Sequence, residues 1–589
     1  STVISTSSFF DNKVPLGINV NFSMDDTNAF TSGAAAPMPN RYQGIQVAGC
    51  GHVKSAVTWS ATRVPFIIGD PTSCNYLAID GGASLTLGAN VVLKFFPSGV
   101  ITVDGTLTAN TDAFTSIKDD AHGGDTNGDG AATAPAAGDW GRINIRANGS
   151  SFDRCSFLYG GGDNTPVLDI GTTSASITRS VFAHNGDQDT ITAYPALDAR
   201  EALTGTVITG NSFFDNKVPL RISANFSMGD SNTFDSGVVL APMPNRYQGI
   251  QVAGCGHVKS AVTWSATRVP FIIGDPTSCS YVAIDGGASL TLGPNVVLKF
   301  VPSGGITVNA GGNINANATA TAPIVFTSVK DDAHGGDTNG DGAASAPTAG
   351  DWGGINLNAG GSTFGYCMFL YGGYNNTPAL FVNGVSASVT HTIFAHNGDL
   401  DAITADPALD ARTALSSTVI STSSFFDNKV PLGINVNFSM DDSNVFSSGA
   451  AAPMPNRYQG IQVAGCGHFK SAVTWSATRV PFIIGDPTSC KYLIIDGGAS
   501  LTLADNVVLK FQASGGSLGI SSGGALLHSH GAGTAGVVFT SIRDDARGGD
   551  TNGDGSATTP AAGEWEGIYG PGSDYYTGWG NIYYSARSN

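Results

Sequence analysis

The stretch STVISTSSFFDNKVPL (residues 1–16) returns as GTVITGNSFFDNKVPL (205–220) and again as STVISTSSFFDNKVPL (417–432). Two further strings keep the same step. NRYQGIQVAGCGH starts at Asn40, Asn245 and Asn456, and VTWSATRVPFIIGDPTSC starts at Val57, Val262 and Val473. The chain therefore divides into copies 1–204, 205–416 and 417–589. Self-similarity at a fixed period marks a stacked-repeat architecture, in which each unit buries its apolar face against its neighbours. These copies are far longer than one coil of a solenoid, so each must itself be a stack of coils.

Inside a copy, short strands alternate with turns. SLTLGANVVLKF from Ser84 and GVITVDGTLTA from Gly99 tend to alternate apolar residues with Thr, Ser or Lys, which sends one face inward. DGG, HNG and NGDG supply the turns. Helical periodicity is nearly absent; candidate helical turns are limited to PALDAREAL from Pro195 and PALDARTAL from Pro407. The alternative is an array of Greek-key sandwiches. The solenoid is preferred because strands recur without hairpin pairing. At roughly 22–25 residues per coil it would hold about 25 coils.

Composition narrows the partners. The net charge is −18, the charged fraction is only 13% and Gly reaches 78 of 589 residues. Such a chain repels phosphates, which argues against nucleic acid and anionic membranes. Divalent cations and neutral glycans fit better. No stretch is long and apolar enough to span a membrane, and no signal peptide is seen, so a mature secreted form or a fragment is expected.

FTSIKDDAHGGDTNGDGAATAPAAGDWGRI from Phe114 recurs with small changes from Phe326 and Phe539, and GASLTLGANVVLKF precedes its first copy. This element resembles one found in large secreted bacterial parallel β-helix repeat proteins of the surface or extracellular structural type. The resemblance covers every copy. It implies an all-β, right-handed parallel β-helix and an extracellular or cell-surface location, and it says little about activity.

Six of the eight cysteines form a repeated pair: Cys50 with Cys74, Cys255 with Cys279, Cys466 with Cys490. The spacing is close to one coil, and residues one coil apart stack at a separation a disulfide can bridge. Three local disulfides and an oxidising compartment are expected; buried free thiols are the alternative. Cys155 and Cys367 stand at equivalent positions and read as core thiols, with Gly580 in that place in the third copy.

DTNGDG at Asp125, Asp337 and Asp550 matches the first half of a calcium loop, with oxygen ligands at positions 1, 3 and 5 and a glycine for the turn. The expected ligands are Asp125, Asn127, Asp129 and the carbonyl of Ala131. Asp139, or else Asp119 or Asp120, would close the site, since position 12 is Ala136. The counterparts are Asp337, Asn339, Asp341, Ala343 and Asp351, then Asp550, Asn552, Asp554, Ser556 and Glu564. Calcium would rigidify the loop rather than catalyse. The competing reading is a Gly/Asp turn that hydrogen-bonds to itself.

A polysaccharide lyase or hydrolase is the main rival function. Asp119, Asp120 and His122 suggest such a centre, but Arg547 replaces the histidine in the third copy. His52, His257 and His468 repeat without an acidic residue beside them in sequence. Trp59, Trp264 and Trp475 would stack on sugars if exposed, but core packing is the simpler reading. Near-identical copies also imply equal sites, whereas an enzyme usually elaborates one. Sequons at Asn21, Asn225, Asn437, Asn148 and Asn317 would accept N-linked sugar.

The third copy stops at GNIYYSARSN, with no counterpart of residues 165–204. Neither end carries a capping helix, so either the array continues or copies of the chain stack head to tail. The sequence thus predicts a non-catalytic extracellular structural protein, a filament subunit or the stalk of an adhesin. A glycan-binding array is the alternative.

Overall fold

The computed structural model describes residues 3–32, 38–70, 72, 74–236, 243–448, 454–529, 536–570 and 581–586. Gly580 lies outside them. The chain is all-β, a solenoid of about 19 turns whose paired strands run parallel. That is fewer than the expected 25 coils, because several coils carry long loops. One such coil runs from Phe114 to Phe157 and contains the whole DTNGDG loop. Both PALDAR segments are strands, Leu197–Ala199 and Leu409–Ala411, because pairing on both sides outweighs their helical spacing. The single helical element among the described residues is a short 3-10 turn at Tyr374–Asn376.

Two compact units form, and they do not follow the sequence copies. Ser1–Gly256, Ala266–Ile272 and Gly335–Ser345 make the first; the remainder makes the second. In the first unit each coil contributes strands of three to five residues to three stacks. One stack contains Ala113–Ser116, Ser156–Leu158, Val181–Ala183 and Ser212–Phe214. Its register sets like on like: Phe114 opposite Phe157, Phe157 opposite Phe182, Phe182 opposite Phe213. The rings stack at 4.9, 4.6 and 4.9 Å, the spacing of the strands themselves. The second unit repeats this with Phe326, Phe369, Phe394 and Phe425.

Buried asparagines hold the turns between stacks. The Nδ2 of Asn185 donates to the Phe157 carbonyl and to Asn216 Oδ1, at 2.9 and 2.8 Å. Asn216 passes the pattern on to Phe182 and Asn245, each at 2.9 Å. Each of these buried amides thereby keeps partners away from water. This explains why HNG, DNK and PNR each carry Asn at the same turn position.

The copies join without a linker. In the second unit Leu409–Ala411 pairs with Leu432–Ile434, which pairs with Ile461–Val463 and onward to Phe482–Ile484. One sheet thus runs through the copy boundary at 416/417. The other two stacks end there, at Val419–Ser421 and Ser424–Phe426. Two new stacks begin at Gly467–Phe469 and Ala472–Trp475. The first unit has the same hand-over, from Leu197–Ala199 through Leu220–Ile222 to Ile250–Val252.

The two hand-overs solve one charge problem differently. Asp198 is fully buried on the continuing sheet, and burial pushes its carboxyl up. Arg221, also buried, lies 3.9 Å away, donates to Gln251 at 3.2 Å and stacks on Tyr194. At the second hand-over Gly433 replaces Arg221. Arg412 folds over it instead, reaching Asp410 at 2.7 Å and Asp406, the counterpart of Tyr194, at 2.5 Å. A Cβ on Gly433 would meet Arg412 Cγ at 2.9 Å, so the two solutions exclude each other.

The expected result is that Arg221→Gly costs about 3 kcal/mol by leaving the buried Asp198 carboxylate with Arg200 alone, at 3.5 Å. Adding Tyr194→Asp recovers most of that loss, since it recreates the second solution. Urea midpoints of the single and double variants measure it; a double variant no better than the single one contradicts the exchange.

Candidate metal-binding loop

The acidic loop is built on a lysine. Lys94, from VVLKF, is fully buried, and its Nζ donates to the carbonyls of Asp119 and Gly124 at 2.7 Å and to Thr126 Oγ1 at 3.0 Å. Burial pulls its ammonium down to about 8, while Asp119, Asp120 and Asp125 pull it back up. Lys510 repeats the arrangement under the third loop, donating to Gly549 O, and is also held at about 8 by burial. Lys299 is equally buried.

Above the lysine, Asp125 shapes the turn. Its two carboxylate oxygens accept from Gly128 N at 2.7 Å and Gly130 N at 2.9 Å. Gly128 has φ +71°, and a Cβ there would lie 2.8 Å from the Tyr42 ring, so only glycine fits. The Asp125 carbonyl accepts from Gln43 N at 2.9 Å, which staples the loop to the NRYQG strand entry of its own copy. Asp337 and Asp550 make the same bonds to Gly340, Gly342, Gln248 and to Gly553, Gly555, Gln459.

Asp120, Asp125 and Asp129 bring carboxylate oxygens within 4.8 Å of one another, as do Asp545, Asp550 and Asp554. Asn127 does not stand free: its Nδ2 donates to Asp129 and Thr133, both at 3.0 Å. Asn339 and Asn552 hold Asp341 and Asp554 in the same way. Ala131, Ala343 and Ser556 follow the second glycine and are exposed.

Asp139 is a correction. It does not join the cluster, because Lys118 at 2.8 Å, Ser116 Oγ at 2.8 Å and Ala136 N at 3.0 Å claim its carboxylate. Asp351 is held by Lys330 and Glu564 by Arg543, each at 2.8 Å. Asp120 and Asp545 take the closing position in the first and third loops.

The chemistry of the donor set fits a hard cation. The Oδ1 atoms of Asp120, Asp545 and Asp554 are buried without a hydrogen-bond partner. Burial, then repulsion from Asp125, pushes the Asp120 carboxyl up, and Asp545 is pushed up in the same way by burial and Asp550. A shared cation would relieve both the repulsion and the orphaned oxygens. The buried ammonium beneath already offsets part of that charge.

The histidines are braces. His52, His257 and His468 do have a repeated acidic partner, one coil away in the DGG turn: Asp80, Asp285 and Asp496, at 2.6, 2.9 and 2.7 Å. His122 and His334 pair with Asp119 and Asp331 at 2.7 Å, and Arg547 takes the same partner, Asp544, at 2.8 Å. The exchange of His for Arg preserves the contact with the aspartate at an equal sequence spacing. Trp59, Trp264 and Trp475 are fully buried, as core packing required.

Cys50–Cys74 and Cys466–Cys490 are disulfides with Cα atoms 5.5 and 5.4 Å apart, and Cys255 and Cys279 are half-cystines as well. Cys155 and Cys367 are buried thiols; burial pushes Cys155 up to about 12. Asn21 and Asn437 use their side-chain amides on backbone groups, Nδ2 to His52 O and His468 O and Oδ1 from Lys54 N and Lys470 N. Asn148 Oδ1 accepts from Thr173 and Ser174, the backbone N–H of Asn225 donates to Ser223 Oγ, and exposed Asn317 donates to Thr363.

In chelator, stability should rise with pH between about 8 and the ordinary lysine value of 10.5. The folded chain releases the Lys94 and Lys510 protons first, so over that window the unfolded state binds more protons. The slope is at most about 1.4 kcal/mol per pH unit for each lysine. Replacing both by Met should remove this part of the slope; an unchanged slope in the Lys94→Met/Lys510→Met chain contradicts the assignment. No family model, curated protein or solved structure matches this chain, so the loop is read from its own geometry.

Proposed function

We propose that this chain is a non-catalytic extracellular structural protein, a β-solenoid stalk or filament segment whose acidic loops are stiffened by calcium. The observation that carries the reading is the hand-over. A sheet that continues from Leu409–Ala411 through Leu432–Ile434 into Ile461–Val463 joins copies by backbone pairing, which suits an element that is lengthened by adding copies. The use of the polar groups supports it. His–Asp, Lys–Asp and Arg–Glu pairs lock turns to coils, copy after copy, and leave no elaborated acid–base centre among them. The disulfides favour an oxidising compartment. Among the described residues no helix is long and apolar enough to cross a membrane.

The proposed partners are further copies of the chain, end to end, and glycans or other cell-surface components. Nucleic acid is disfavoured by the net charge of −18.

Immunogold labelling of intact source cells should place the chain outside the cell on extended structures. Cytoplasmic label, or release of reducing sugar ends by the purified chain, would contradict the proposal. For the calcium component, Asp545→Asn should lower the bound calcium measured by equilibrium dialysis by about one ion per chain. Unchanged stoichiometry would exclude that loop as a calcium site.

A further inference from the structure

The second copy departs from the first at one place on the outer face of a sheet. In the first copy Tyr76, Val100 and Arg142 stand in one outward column, and Asn144 stands beside Asp169 in the next. Arg142 lies 3.9 Å from Asp169 across the two columns and covers the face. In the second copy the first column reads Tyr281, Gly305, Gly354, and the second pairs Asn356 with Phe381. At the two glycines a Cβ would meet Gly354 O at 2.4 Å and Pro378 O at 2.0 Å, so the backbone here admits no side chain, and a trough of about 320 Å³ lies over it.

The lining has a definite chemistry. Tyr281, 46% exposed, and half-buried Phe381 supply aromatic surface at the trough. Gly305 and Gly354 form a floor with no side chains, so a ligand can approach the backbone closely. Asn356 Oδ1 is buried here without a hydrogen-bond donor. Thr307 adds a hydroxyl beside it, and no charged side chain lines the trough. An orphaned amide oxygen costs free energy that a ligand hydroxyl would recover. A ring that offers an apolar face to aromatics and hydroxyls at its edge meets these demands; a charged group would find no counter-ion in the lining, and an anionic one is further opposed by the acidic chain.

We propose that this trough binds a pyranose unit of a neutral polysaccharide, with Tyr281 and Phe381 against the sugar face and Asn356 Oδ1 accepting from a ring hydroxyl. In the first copy the same place is filled by Val100, Arg142 and Asp169. It does not depend on the structural role proposed above, since a stalk without it would still be a stalk.

Saturation-transfer NMR on the full chain tests it, with cellohexaose, mannohexaose and maltohexaose as probes and trigalacturonate as the acidic control. At least one neutral hexaose should bind with millimolar or tighter affinity. Phe381→Asp, which restores the first-copy residue, and Asn356→Ala should each weaken it about tenfold. Tyr281→Ala, at an exposed position, gives the same readout without touching the core. The proposal is overturned if no neutral hexaose binds at millimolar concentration, if trigalacturonate binds as well, or if Tyr281→Ala leaves binding unchanged.

Discussion

Each coil of this chain depends on the parallel backbone ladder to the coil before and after it. A strand of three or four residues is too short to stand alone. Its N–H and C=O groups are satisfied only because the neighbouring strand arrives in register. That register repeats at the strand spacing, so side chains must stack on their own kind. Phe114, Phe157, Phe182 and Phe213 do so in the core, and Asn185, Asn216 and Asn245 do so at the turn. The same constraint explains the hand-over between copies: a sheet that stopped at the boundary would leave an exposed edge, so one sheet is carried through.

Features confined to one coil step were legible in the sequence. The cysteine pairs, the buried tryptophans and the inward alternation of SLTL all express that step directly. Features that join loops of unequal length were not. Lys94 meets Gly124 only across the long acidic loop, and His52 meets Asp80 one coil on but in a turn of different length from its own. Nothing in local spacing marks VVLKF as the base of the acidic loop, although a lysine inside an otherwise apolar strand was a usable signal. The choice of closing residue among Asp139, Asp119 and Asp120 was open in the sequence for a related reason. Asp139 is near the loop in sequence, but Lys118 is nearer in space, and a salt bridge settles its position. PALDAR shows the opposite failure, where helical spacing yields to strand pairing on both sides.

The copies act as controls on one another. Arg547 in place of histidine, and Glu564 in place of Asp139, keep an ion pair while changing its chemistry, which marks those sites as braces. Arg221 and Tyr194 against Gly433 and Asp406 show two packings of one buried charge. Gly305, Gly354 and Phe381 are different, because their change removes the Arg142–Asp169 contact without replacing it, beside a buried amide oxygen that has no partner. Departures that conserve an interaction speak for structure, and a departure that abandons one speaks for a ligand.

The central claim is that copies are joined by a continuous sheet and not strung as separate bodies. Hydrogen exchange across the second junction tests it most directly. The account predicts that amides of Leu432–Ile434 and Ile461–Val463 exchange as slowly as those of Val508–Phe511, deep within the third copy. Exchange at the junction as fast as in an unstructured linker, with Val508–Phe511 still protected, would contradict it.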